Sequence, residues 1–382
     1  MDLTPTEEQR LLRESAGRFV RAQYNADARR KRAEAGEGFS AGAWREFADL
    51  GWLALPLPEA HGGLGGGAVE VGMLMEAFGE GLVDSPYVST VILGAGAIAA
   101  AGSPAQQADL LPKIAEGALR VAFAHSERQA RYNLADVATH AVKDADGWVL
   151  DGAKTAVLDA DEADLLIVSA RIHGNRADAK GIGLFIVPRD AEGVTLTTDL
   201  RLGGGKVSQV RLAGVRLGAG ALLGGLEDAL PVIEAVSDHA TAALCAEAVG
   251  MMQTLVETTA AYIKTREQFG KPLSVNQALR HRMADMAVAV EEARSLALRA
   301  ALFADAEPAA RARAVSGAKA KIGRGARFVA EQAVQLHGGM GVTEELEIGA
   351  FLKRVVFFDA MFGGVDHHLK RHAALSAAGR AA

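Results

Sequence analysis

The sequence predicts an α+β protein in three consecutive parts: helices, then a compact β domain, then a helical bundle. Three observations carry this. From Thr4 to about Leu111 apolar residues recur at helical spacing, as in Trp44, Phe47 and Leu50. From about Arg120 to Leu223 the text changes to short β-branched and aromatic runs punctuated by Asp, Gly and Pro. From Glu227 onward helical periodicity returns in longer segments. Strand and helix do not alternate, which argues against a doubly wound dinucleotide fold. The expected domains are 1–118, 119–226 and 227–382, in keeping with 382 residues at about 150 per domain.

The elements follow in order. Thr4 and Pro5 read as a cap and first-turn pair ahead of Glu7 and Glu8, which favour a helix N-terminus. The run from His61 to Gly67 interrupts the helices, and another begins near Ala68. Strands are expected around Trp148–Leu150, Asp164–Val168, Gly183–Val187, Val194–Leu196 and Val207–Leu212. Helices are expected at about 228–265, 275–304 and 308–336, broken near Gly270-Lys271-Pro272 and at Glu307-Pro308. Their Ala, Gly and Ser content suits close antiparallel packing, and no repeat of fixed period is present.

Composition excludes several classes of function. With 49% hydrophobic and 23% charged residues and one Cys, the chain is neither disordered, nor a disulfide scaffold, nor a Cys-rich zinc module. The net charge of -6 gives no general affinity for nucleic acid. No apolar run approaches the ~20 residues of a membrane helix. The acidic, polar opening lacks a secretory pattern, so the expected location is cytoplasmic.

Some motifs look chemical without being so. Gly62 to Gly67 and Gly203-Gly204-Gly205-Lys206 invite a phosphate-loop reading, but Leu200 stands where a P-loop needs Gly and the earlier run follows no clear strand. Both read as turns. Adjacent on a helix, His367 and His368 would point about 100° apart and would not close on one metal, so they read as solvated or capping side chains. Cys245 reads as a small core residue.

Two segments carry an identification: Lys264-Thr265-Arg266-Glu267-Gln268-Phe269-Gly270-Lys271-Pro272-Leu273 and Gln335-Leu336-His337-Gly338-Gly339-Met340-Gly341. With Pro58–Gly65, Ser126-Glu127, Asp151–Lys154 and the helix-sheet-helix order, they resemble the acyl-CoA dehydrogenase family. The resemblance implies a middle β-barrel-like domain, a C-terminal four-helix bundle and FAD as cofactor. It implies an acyl-CoA substrate oxidised to the 2,3-enoyl-CoA, and an electron-transfer flavoprotein or similar acceptor. Arg266, Gln268 and Phe269, with Gln335, Leu336, Gly338 and Gly339, would clamp a neighbouring subunit's FAD; otherwise Arg266 is a surface ion-pair partner and Gly338 a helix stop. Phe123, Ser126 and the Val157 amide would face the flavin, and Thr139 matches a Thr of the same segment. Ser126 reads equally as a local backbone partner. Arg128 and Arg131 face either nucleotide phosphates or solvent.

The chain departs from the family where chemistry is expected. The family's Glu base should fall 27 residues after Gln335, at Phe362, or on the helix at Ala240, and both positions are apolar. Asp238 and His239, just upstream, are the candidate bases; the alternative for Asp238 is a helix N-cap. Asp359 is a further candidate. The family's Trp-Ile-Thr at the flavin is Ala156-Val157-Leu158 here. Through Phe123–Arg128, Leu244–Gly250 and Asp366–Leu369 the chain further resembles the small subunit of pimeloyl-CoA dehydrogenase, and an intact clamp beside a missing base suits a mixed assembly. The expected assembly is therefore a homotetramer or an α2β2 heterotetramer with a Glu-bearing sister subunit. A non-catalytic FAD-clamping subunit and a flavin oxidase or monooxygenase on the same scaffold are the alternatives.

Overall fold

The computed structural model describes residues 4–34, 39–225, 227–343 and 345–381. The first part consists of α1 (Glu7–Gln23), α2 (Ala26–Glu34), α3 (Ala41–Asp49), α4 (Ala68–Glu80), α5 (Gly96–Ala101) and α6 (Pro104–Ala115), with a wide π-type turn over Tyr87–Ala95. Thr6, not Thr4, caps α1: its side chain accepts from the Gln9 amide while Gln9 returns the bond to the Thr6 amide. The reciprocal Gln three residues on makes Thr6 the better cap. Trp44, Phe47, Trp52 and Phe78 pack as aromatic neighbours in the core of this part. The Gly62–Gly67 turn is packed against its own loop; a Cβ at Gly63 would lie 1.9 Å from the Leu57 carbonyl oxygen.

Seven strands form one sheet: β1 (Val121–Ala124), β2 (His140–Lys143), β3 (Gly147–Leu158), β4 (Leu165–Arg171), β5 (Ile182–Pro188), β6 (Val194–Leu200) and β7 (Lys206–Gly218). Their order is β1-β4-β2-β3-β7-β6, with β5 on the free side of β4. Among the described residues β5 and β6 do not pair, so the sheet does not close into a full barrel. Periodicity marked the longer strands; β1 and β2, four residues each, are too short for it. Gly203–Gly205 is a turn between β6 and β7, and Lys206 pairs with Asp161 at 2.8 Å and Glu162 at 3.3 Å.

The last part opens with α7 (Leu230–Thr265), followed by a small hairpin of β8 (Glu267–Gln268) and β9 (Lys271–Pro272), then α8 (Gln277–Leu302), α9 (Pro308–His337), α10 (Ile348–Ala360) and α11 (Val365–Ala381). Pro308 opens α9 because the first helical position needs no amide donor. α7 packs against α4, α8 and α9, and α10 and α11 both pack on α9. Most of α7's first 23 residues are buried, so it is walled on nearly every side. Cys245 lies in that core as a free thiol.

Candidate functional site

A cleft of about 1220 Å³ lies between the β domain and the last helices. Its β wall is built from Phe123 at the end of β1, Ser126 in the following loop, and Thr155 and Ala156 on β3. Its helical wall is built from Ser237, Asp238 and Thr241 on α7, with Met361, Phe362, His367 and Arg371 around α10 and α11.

The β wall is shaped from behind by a buried ion pair. Lys154 falls at an inward-facing position of β3, two residues before Ala156, and its ammonium is fully buried. It donates to Glu127 Oε1 at 2.6 Å, Ser169 Oγ at 2.9 Å and the His125 carbonyl at 3.3 Å. The Glu127 carboxylate also accepts from the Ala138 amide at 2.8 Å, the Thr139 amide at 3.0 Å and Gln129 Nε2 at 2.7 Å. Burial opposes ionisation of both partners. The Lys154 charge and these hydrogen bonds nevertheless hold the Glu127 carboxyl below its ordinary range, while desolvation draws the Lys154 ammonium down. Burial and the Lys154 charge lower His125 to about 3, so its imidazole is neutral against Ser169 Oγ at 2.9 Å.

The consequence is local geometry. The Thr155 amide donates to the Ser126 carbonyl at 2.8 Å, tying β3 to the loop that presents Ser126. The register of β3 against β7 slips between Lys154 and Val157, and Ala156 takes a left-handed φ of 53°. A β-branched residue would be far more strained there than Ala. Val157 itself packs in the sheet core, and Thr139 is buried with its hydroxyl unpaired, away from the cleft. Ser126, Arg128 and Arg131 are exposed on the cleft.

The helical wall corrects several expectations. Asp238 is not an N-cap: α7 begins eight residues earlier, and Asp238 lies inside it, 2% exposed. Its carboxylate accepts from Arg371 at 2.5 and 3.1 Å and from Arg311 Nε at 3.2 Å. His239 turns to the outside of the helix, with Nδ1 2.8 Å from the Ala235 carbonyl and Nε2 2.9 Å from Asp305, and does not line the cleft. Asp359 accepts from the Val365 amide at 3.2 Å and so holds the start of α11. Phe362, with φ 54°, stands on the wall, and Ala240 is wholly buried. His368 is not solvated: burial and the neighbouring Lys319 charge push it down to about 3, and it contacts Ser316 Oγ at 3.2 Å and the Phe362 carbonyl at 3.1 Å. Tyr132 bridges the walls, donating to the Ala360 carbonyl at 3.1 Å with its ring 5.2 Å from that of His367. Among the described residues no His, Cys, Asp and Glu cluster could hold a metal.

The remaining candidates gather elsewhere. Arg266, Gln268 and Phe269 lie in the hairpin that ends α7, and Gln335, Leu336, Gly338 and Gly339 end α9. Tyr262 stacks on His337 with ring centroids 4.2 Å apart, bringing the two motifs to one end of the bundle. From Thr241 to Arg266 is roughly 38 Å along the helix at 1.5 Å per residue, and none of these seven residues lines the cleft. Leu336 is buried, whereas Arg266, Gln268, Gln335, Gly338 and Gly339 are exposed and Phe269 is fully exposed. A Cβ on Gly338 or Gly339 would meet nothing within 4 Å, so packing within the chain does not require either glycine; the φ of 60° does at Gly338.

Sequence reasoning missed the Lys154–Glu127–Ser169 network as a structural unit. A signal was present: Trp148, Leu150 and Lys154 share the parity of β3, placing a lysine on the inward face.

A cleft between a curled sheet and a helical bundle, preceded by a helical domain, defines a three-domain α+β architecture. Family models for the N-terminal, middle and C-terminal domains of acyl-CoA dehydrogenase match residues 6–118, 122–214 and 230–374, respectively. The chain belongs to the acyl-CoA dehydrogenase family. It is 32% identical to acyl-CoA dehydrogenase FadE12 of Mycobacterium tuberculosis, over 91% of this chain and 90% of that one. It is 30% identical to the probable acyl-CoA dehydrogenase YngJ of Bacillus subtilis, over 92% and 93%. A chain in the crystal structure of the ChsE4–ChsE5 complex from Mycobacterium tuberculosis superposes with a TM-score of 0.88, 27% identity and 99% coverage of both chains. No helix among the described residues is long and apolar enough to cross a membrane.

Proposed function

We propose that this chain is an FAD-binding component of an acyl-CoA dehydrogenase assembly, and that it supplies no proton-abstracting base of its own. One observation carries the reading: the family's two base positions are Phe362 on the cleft wall and the buried Ala240, while the nearby Asp238 carboxylate is engaged by two guanidinium groups. Oxidation of an acyl-CoA thioester to its 2,3-enoyl form requires a carboxylate within hydrogen-bond reach of the α-carbon. A Glu-bearing sister subunit supplies it in an α2β2 assembly, with electrons passing to an electron-transfer flavoprotein or similar acceptor. The similarity to a chain of the ChsE4–ChsE5 complex supports a mixed assembly.

The residues present fit the cofactor. At about 1220 Å³ the cleft is slightly larger than the usual small-molecule range of about 300–1,000 Å³. When bound, FAD supplies the hydride-accepting ring. Phe123 offers an apolar face beside the exposed Ser126, which can donate a hydrogen bond, and the small Ala156 leaves the β wall open to a planar group. Arg266, Gln268, Phe269, Gln335, Leu336, Gly338 and Gly339 hold the far end of a neighbour's dinucleotide; at roughly 38 Å along α7 they are too distant to serve the inner part of their own cleft.

The test is to purify the chain alone and with a Glu-bearing sister, then follow flavin absorbance as an acyl-CoA panel is added with an electron acceptor. The expected result is a yellow protein that acyl-CoA bleaches only in the mixture. Bleaching by the chain alone would overturn the reading.

A further inference from the structure

Leu158 and Met361 line the cleft and also wall a second, much smaller space behind it, of about 30 Å³. By this measure a water needs about 10–15 Å³, so the space holds a water or two and no alkyl chain. Its outer shell is what an alkyl chain would favour: Met75, Phe78, Val88, Leu244 and Phe357. Charge fills the middle. Glu247, 4% exposed on α7, accepts from Arg354 Nε at 3.0 Å. Arg354 also donates to Asp84 at 2.9 Å and to the Val83 carbonyl at 3.1 Å. Arg201 reaches Asp84 at 3.1 Å, and Asp159 accepts from Ser89 Oγ at 2.7 Å.

These residues come from all three parts of the chain, so the cluster joins the domains. It also resists opening. Displacing Arg354 to admit methylenes would leave Glu247 buried and unpaired, and displacing Glu247 would leave Arg354 with Asp84 as its one remaining carboxylate; either is worse than keeping the pair.

We propose that the Glu247–Arg354 pair is a specificity device that closes the recess behind Leu158 and Met361, so that the acyl part of a thioester ligand ends within the cleft and an extended alkyl tail gains nothing. This rests on acyl-CoA being the ligand class of the cleft. A tail entering an apolar recess would gain about fourfold in affinity for each methylene buried.

The experiment measures dissociation constants of butyryl-, octanoyl- and palmitoyl-CoA for the full chain by calorimetry, with bound flavin quantified separately by absorbance. Equal affinity across the series upholds the closed recess. A rise of about fourfold per methylene between butyryl and octanoyl overturns it. Absence of all thioester binding by a yellow protein removes acyl-CoA as this chain's ligand, and a colourless protein removes the flavin reading; neither outcome produces a chain-length slope. The double variant Glu247→Ala/Arg354→Ala, accepted as folded if it retains flavin, is expected to acquire a slope; a folded variant without one counts against the proposal. If the variant does not fold, the wild-type series decides alone.

Discussion

On the β wall of the cleft, Lys154 and Glu127 meet behind the surface, and their hydrogen bonds fix the backbone that presents Ser126 and Ala156. On the helical wall, Asp238 stands at the cleft itself, yet Arg311 and Arg371 take up its oxygens. Both walls bury charge and both satisfy it. The difference is what the pairing leaves over. The β wall leaves an exposed hydroxyl and an ordered backbone facing the cleft, which is what binding a cofactor requires. The helical wall leaves Phe362 and Met361 beside a carboxylate already bound to two cations, with an apolar side chain where the family's base is expected. One wall is therefore ordered by a pair set behind it, and the other has a carboxylate engaged at its surface.

The largest test of that contrast is Glu127→Gln, which leaves the Lys154 ammonium buried without its counter-charge. It is expected to cost about 3 kcal/mol of unfolding free energy in urea and to lower flavin content in the material that folds. Full flavin content at unchanged stability would separate the pair from the wall in front of it. Asp238→Asn should be milder, about 1–3 kcal/mol, because Arg371 is 25% exposed and recovers some hydration. Flavin content and acyl-CoA bleaching in the mixed assembly should be unchanged. Loss of bleaching at constant flavin content would restore Asp238 as a working residue.

The smallest effect concerns Asp159, just past the β wall. Burial pushes its carboxyl from 3.8 up to about 6, partly offset by Arg201 and the Ser89 hydrogen bond. Between those values the folded chain holds a proton that the unfolded chain has released, so stability from this group falls as pH rises toward 6. Asp159→Asn is expected to be more stable than wild type at pH 7.5, with the advantage gone near pH 4. Urea midpoints at the two pH values check this, and equal differences at both would exclude the titration.

Legibility followed the range of the interactions. The caps, breaks and long helices were readable because local spacing encodes them: Pro308 opens α9, and α4 begins at Ala68 as the turn before it indicates. The short strands β1 and β2 were not, since four residues carry too little pattern to separate from a loop. For the site, the motifs at Arg266 and Gln335 were visible as text, and the absence of Glu at Phe362 and Ala240 was a matter of counting. Reading Asp238 as a cap failed because it competed with the helix expected over about 228–265, which does enclose Asp238; what only packing against α9 and α11 settles is that Arg311 and Arg371 take up its carboxylate. His368 misled for the same reason, being a polar residue that tertiary contacts bury.

By itself the sequence determined the order of helices, sheet and helices, the place of the chain in its family, and the loss of the expected carboxylate. Each of these is carried by spacing along the chain or by the identity of a single residue. Tertiary structure alone decided that Asp238 is paired with two arginines, that the motifs at Arg266 and Gln335 sit at the far end of α7 from the cleft, and that Glu247 meets Arg354 in the small space behind it. Those outcomes depend on contacts between residues up to 133 positions apart, and in a buried setting it is the partner, not the residue type, that sets what a charge can do.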